Sequence, residues 1–120
     1  MTAIARIEEE SHGDLPIARV HGEVDASNAR DIGARLRSML SNRSETMVVD
    51  LSPTTYIDSA GLNLLFALAD EMRSRQQRLV VVIAEESPIA RMVAVTGLDH
   101  VAATYATLDG ALSDGREDVA

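Results

Sequence analysis

Asp58 and Ser59 stand side by side in TYIDSAGLNLL, residues 55–65, between two apolar segments and just before two small residues, Ala60 and Gly61. A carboxylate beside a hydroxyl admits several chemistries. A serine nucleophile on a strained strand-to-helix elbow needs a glycine two positions earlier, so that the chain can turn sharply. Ile57 occupies that position, and none of His12, His21 or His100 is placed by the sequence to serve as its base. A bland role is also open. Asp and Ser both accept hydrogen bonds from the free amides of a first helical turn, which contributes about 1 kcal/mol. Capping alone does not explain why two such residues are stacked, or why Gly61 follows in the first turn at a cost of about 1 kcal/mol relative to alanine. Close approach by another backbone would account for that glycine.

Asp50 is a second candidate. It ends the apolar run MVVD as a phosphoacceptor aspartate of a receiver domain would. Such a domain also needs an acidic pair for Mg²⁺ and a lysine for the phosphoryl group. No adjacent acidic pair directly follows the strand expected at 5–9, and all 11 Lys and Arg positions of the sequence are arginine. A guanidinium fork is a poor substitute for an ammonium point charge. The remaining reading makes Ser59 a phosphoacceptor for another enzyme. A serine at a helix start is exposed, and the unpaired amides and positive dipole end there tolerate a dianion. Asp58 opposes that by repulsion, so phosphorylation would change a surface patch without reshaping the fold.

The elements that must position this pair follow from periodicity. Residues 5–9 and 15–24 read as two strands around the turn SHGD. Residues 27–42 read as an amphipathic helix with Ala29, Ile32, Leu36, Met39 and Leu40 on its stripe, capped by Ser27 or Asn28. TMVVDLS, residues 46–52, reads as a buried strand stopped by Pro53, leaving residues 54–58 as a loop. Residues 59–75 form the second helix, with Leu62, Leu65, Phe66, Ala69 and Met72 inward and Leu64 and Leu68 widening the stripe. RLVVVIA, residues 78–84, is apolar throughout, as a strand covered on both faces should be. Residues 87–98 read as a short helix with Ser87 as cap, Pro88 in its first turn and Gly97 as its stop. A last strand at 101–106 and a helix at 107–114 follow, with a polar, frayed tail at 115–120. The order β-β-α-β-α-β-α-β-α implies one α/β domain over residues 1–114, with a mixed, mostly parallel sheet of about five strands and about four helices.

Composition narrows the partners. A chain of 120 residues with net charge −8 is repelled by nucleic-acid phosphates and anionic membranes. One Phe, two Tyr and no Trp leave little for base stacking. No apolar run nears the roughly 20 residues of a membrane span, and the N-terminus lacks the pattern of a secretory signal. The absence of cysteine fits a cytoplasmic setting. A protein partner is expected, with no metal and no cofactor. No heptad or other dimer seam is visible, so the free chain is expected to be a monomer.

Three segments in order carry a resemblance. HGEVDASNA (21–29), the run from Val48 through DLSPTTYIDSAGLNLL (50–65), and ARMVAVTGLDHV (90–101) are similar to the motifs of stand-alone STAS domains that act as anti-sigma-factor antagonists. The match spans nearly the whole chain. The resemblance implies a STAS fold and a protein that is a substrate rather than an enzyme. Ser59 would be phosphorylated by an anti-sigma factor that is itself an ATP-dependent serine kinase, and restored by a phosphatase. The unphosphorylated form would bind that kinase and free its sigma factor. Asp25, Asp58, Ala60 and Gly61, together with the loop at residues 54–58, would form the partner-binding surface around Ser59, with Thr54 and Thr55 as lesser acceptor candidates. Ala60, often Ser or Thr in this family, removes a second nearby hydroxyl. The alternative role is a STAS scaffold or sensor module of a signalling assembly without a direct sigma-factor role.

Overall fold

The computed structural model describes residues 5–40 and 45–119. Strands β1 (Arg6–His12) and β2 (Leu15–Val24) form an antiparallel hairpin. Helix α1 (Ala29–Met39), strand β3 (Thr46–Asp50), strand β4 (Thr54–Ile57) and helix α2 (Ser59–Ser74) follow. The chain ends with β5 (Arg78–Val82), α3 (Ala90–Thr96), a 3-10 turn at Leu98–His100, β6 (Ala103–Tyr105) and α4 (Leu108–Val119). Five strands lie in the order β1-β2-β3-β5-β6, and β4 pairs with β2 off that path. All pairings except β1 with β2 are parallel.

β2 is long because it serves two parallel neighbours in turn. Its first half pairs with β3, Ile17 opposite Val48 and Arg19 opposite Asp50. Its second half pairs with β4, Gly22 opposite Thr54 and Val24 opposite Ile57, with a register shift between Gly22 and Glu23. Gly22 has φ +93°, a conformation that L side chains rarely adopt. The shift brings the C-terminal ends of β2 and β4 level, so that Asp25 and Asp58 leave the sheet together. The segment 54–58 was expected as a loop; four of its residues are instead this short strand.

Helices α1 and α2 cover one face of the sheet. Leu36, Leu65, Leu68, Met72 and α3's Val93 join Val20, Val49 and Val81 in the main core. Leu68 belongs to the centre of the α2 stripe, while Phe66 and Leu64 lie half-buried at its margins. On the opposite face Ala111 of α4 packs over Ile17, Val48, Val80 and Val82. β3 and β5 are thus covered on both sides, which is why both read as unbroken apolar runs. No described helix is long and apolar enough to cross a membrane.

Three helix ends differ from the sequence reading. Asn28 precedes α1 but makes no side-chain cap. Its Oδ1 accepts from the Asp25 amide at 3.0 Å and its Nδ2 donates to the Glu23 carbonyl at 2.8 Å, tying the turn back to β2. α3 begins at Ala90 rather than in the Ser87–Pro88 turn. The Ser87 hydroxyl accepts from the Ile89 amide at 3.2 Å, a local turn bond that spends the capping group early. α4 runs to Val119 instead of ending at Asp114. Gly115 weakens that helix without stopping it, since a helical glycine costs only about 1 kcal/mol.

Candidate functional site

The first turn of α2 is closed by Asp58. Its backbone is extended, φ −108° and ψ −171°, which is the usual conformation of a cap. Its Oδ1 accepts from the amides of Ala60 at 2.9 Å and Gly61 at 3.1 Å. Its Oδ2 accepts from the Ala26 amide at 3.3 Å, 32 residues earlier in the chain. The Asp58 amide in turn donates to the Val24 carbonyl. One residue therefore caps α2 and joins its start to the β2–α1 turn.

Asp25 organises that turn. Its carboxylate Oδ1 accepts from both the amide and the hydroxyl of Ser27. Its carbonyl accepts from the amides of Asn28 at 3.1 Å and Ala29 at 2.8 Å, which starts α1. The Ser27 hydroxyl, and then the Ser27 amide, hold the Asp25 carboxyl below the usual carboxylate range. It is ionised at neutral pH and adds fixed negative charge beside Asp58.

Ser59 is the first residue of α2 and is exposed. Its hydroxyl makes no hydrogen bond among the described residues. The amides expected to be open beside it are only partly so, because Asp58 already occupies those of Ala60 and Gly61. A phosphoryl group on Ser59 would meet a filled cap and two carboxylates, so it would project outward.

Ala60 is half-buried. Gly61 is buried. A Cβ there would lie 2.6 Å from Ile57 Cγ1 and 2.9 Å from Val24 Cγ1. The close approach inferred from this glycine is real, but it is made by two side chains of the same chain and not by another backbone. Gly61 lets α2 settle onto the ends of β2 and β4.

The lesser candidates separate cleanly. Thr54 is fully buried and its hydroxyl donates to the Val20 carbonyl at 2.7 Å. Thr55 is exposed, but its hydroxyl donates to the Gly22 carbonyl at 3.2 Å. Asp50 is 5% exposed, accepts from the Ser52 amide at 2.9 Å and lies 3.4 Å from Arg19 Nε. An aspartate closed in this way is a structural partner, not an open phosphoacceptor. Tyr56, which the sequence reading included in the 54–58 loop without singling it out, is 46% exposed two residues before Asp58.

The family model described as "Mlab, STAS domain" matches residues 7–112. The chain belongs to the STAS-domain family. A curated relative, Anti-sigma-F factor antagonist RsfB of Mycobacterium tuberculosis, is 26% identical over 105 residues, covering 88% of this chain and 84% of RsfB. The crystal structure of an anti-sigma factor antagonist from Mycobacterium paratuberculosis superposes with a TM-score of 0.84 at 26% identity, covering 97% of this chain and 99% of that one. The anti-sigma factor antagonist SpoIIAA in its unphosphorylated form shares the fold, with a TM-score of 0.73 at 20% identity over 93% of this chain and 97% of its own. The Bacillus cell fate determinant SpoIIAA in its phosphorylated form aligns with a TM-score of 0.63 at 19% identity, over 91% of this chain and 98% of its own. Among its described residues this STAS chain has a six-stranded mixed sheet and four α-helices.

Proposed function

We propose that this STAS domain is an anti-sigma-factor antagonist whose docking to a kinase-type anti-sigma factor is switched off by phosphorylation of Ser59. The observation that carries the reading is the exposed, unbonded Ser59 hydroxyl beside a cap that ties the start of α2 to the β2–α1 turn. In the unphosphorylated form the kinase meets a preorganised surface of Asp25, Asp58, Ala60 and Tyr56. It binds there and releases its sigma factor. Similarity to proteins named as anti-sigma factor antagonists supports the partner class.

In the transfer step the Ser59 Oγ attacks the γ-phosphorus of ATP. A new P–O bond forms, the bond to ADP breaks, and the hydroxyl proton passes to a base of the kinase. The kinase supplies Mg–ATP and that base; this chain supplies the acceptor and its position. The product carries about −1.5 to −2 additional charge at neutral pH. Next to Asp25 and Asp58, that charge drives the partner away by repulsion and bulk, until a phosphatase hydrolyses the ester.

The test is incubation with candidate kinase-type anti-sigma factors and Mg–ATP, read by intact mass. Wild type should gain one phosphoryl group and Ser59→Ala none. Phosphate incorporated into Ser59→Ala would sink the site assignment. Ser59→Asp should weaken the complex while leaving the thermal midpoint nearly unchanged. Undiminished binding would show that charge at this patch is not the switch.

A further inference from the structure

A cavity of about 260 Å³ opens between α3, the end of β5 and the segment around β6. Its walls are mainly apolar: Ile83 follows β5, and Ala90, Val93 and Ala94 come from one side of α3. The two alanines are one helical turn apart, so neither fills the space between the helix and the sheet. Glu85, in the loop before α3, and Asp99, in the 3-10 turn after it, also line the cavity, and both are exposed. Among the described residues neither carboxylate makes an ion pair or a side-chain hydrogen bond. No arginine or histidine lines the cavity.

An apolar recess flanked by two unpaired carboxylates from different elements has a definite complement. We infer that this cavity is a binding site for a small organic cation, an ammonium or guanidinium group on a short aliphatic stem. The stem would lie against Ile83 and the two alanines, and the charged head would sit at the mouth between Glu85 and Asp99. The volume is below the ~300–1,000 Å³ of drug-sized sites, which limits the ligand to a small one. The net charge of −8 raises the local concentration of cations in general. The apolar walls restrict binding to cations with an aliphatic body. This site is independent of the Ser59 reading and uses none of its residues.

The probes are n-butylammonium and n-butylguanidinium chloride, with n-butanol as the neutral control of similar shape. They are titrated into the full chain at low salt and followed by amide and methyl NMR shifts. Both cations should give saturable shifts at Ile83, Ala90, Ala94 and Thr104, and butanol much weaker ones. Glu85→Gln with Asp99→Asn should weaken cation binding by roughly tenfold, since losing one exposed charge pair changes affinity by up to about fivefold. Ala94→Leu should abolish binding by filling the recess. Both altered side chains of the charge variant and Ala94 are exposed, so the variants are expected to fold, and their unperturbed spectra provide the check. Equal binding of butanol would overturn the inference, as would cation shifts that do not saturate or that survive Ala94→Leu.

Discussion

The Asp58 carboxylate accepts from the Ala26 amide at 3.3 Å while its other oxygen caps α2, so one side chain ties the first turn of α2 to the turn that precedes α1. Asp58→Ala should lower stability by about 1–2 kcal/mol, the usual cost of losing a cap and a backbone partner. In urea the midpoint should fall with an unchanged slope. The Ala26 amide should also exchange faster with solvent. An unaltered midpoint would mean that the cap contributes nothing measurable.

Gly61→Ala tests how tightly α2 sits on the strand ends. Alanine gains up to about 1 kcal/mol in helix propensity. Against that, its Cβ would press on Ile57 and Val24, both buried, and overpacking of that kind costs about 1–3 kcal/mol. Net destabilisation is expected. Gly33→Ala is the control. Its Cβ would meet Leu64 Cδ1 at 2.6 Å and Arg37 Nη1 at 2.8 Å, the ends of a half-buried and an exposed side chain that can move. Gly33→Ala should therefore cost clearly less than Gly61→Ala in parallel denaturation curves.

Asp25 has a lowered carboxyl pKa in the fold, through the Ser27 hydroxyl first and the Ser27 amide second. A depressed folded value means that stability is gained above the unfolded carboxylate pKa, near 4, and lost as pH falls through the folded value. Ser27→Ala should move the Asp25 titration upward, toward the ordinary range. The shift should be incomplete, because the amide still donates. Side-chain carboxyl NMR reads this directly, and the stability gap between wild type and Ser27→Ala should narrow on acidification below about pH 4.

Arg37 of α1 makes a two-pronged contact with Glu71 of α2, Nε to Oε1 and Nη2 to Oε2, both at 2.7 Å. The pairing holds the Glu71 carboxyl below its usual range. Both side chains are more than two-fifths exposed, so water and salt screen much of the attraction. A double-mutant cycle with Arg37→Ala and Glu71→Ala should give a coupling of about 0.5–1 kcal/mol that shrinks as salt is raised. A coupling insensitive to salt would contradict a solvent-screened pair.

The helices and the central strands were legible because their apolar spacing reports burial directly: Ile32 and Leu36 on α1, Leu62, Leu65 and Met72 on α2, and the unbroken runs of β3 and β5. β4 was not, because Thr54–Ile57 is buried only at its two ends and follows a proline. Nothing in those four residues marks a strand until β2 is known to lie beside them. The link from Asp58 to Ala26 was hidden for the same reason. It exists only once the parallel pairing of β2 and β4 brings their ends level. Gly61 was readable as a close-approach position, but which atoms approach depends on Val24, far away in sequence. The STAS motifs marked Ser59, whereas its exposure and its unused hydroxyl are facts of the folded turn.

The outer edge of the sheet is β1, whose Glu8, Glu9 and Glu10 are all exposed. These carboxylates are held by Arg19, His21 and Arg35. A second copy laid antiparallel along that edge would have to displace those pairs or set carboxylates against carboxylates, and directly opposed like charges destabilise a strand pair. The far edge, β6, is only three residues long and offers little length for pairing. Growth of the sheet by stacking further copies is therefore discouraged at both ends, by charge at one and by shortness at the other. The fold is thus guarded, at both ends of the sheet, against adhering to a second copy of itself.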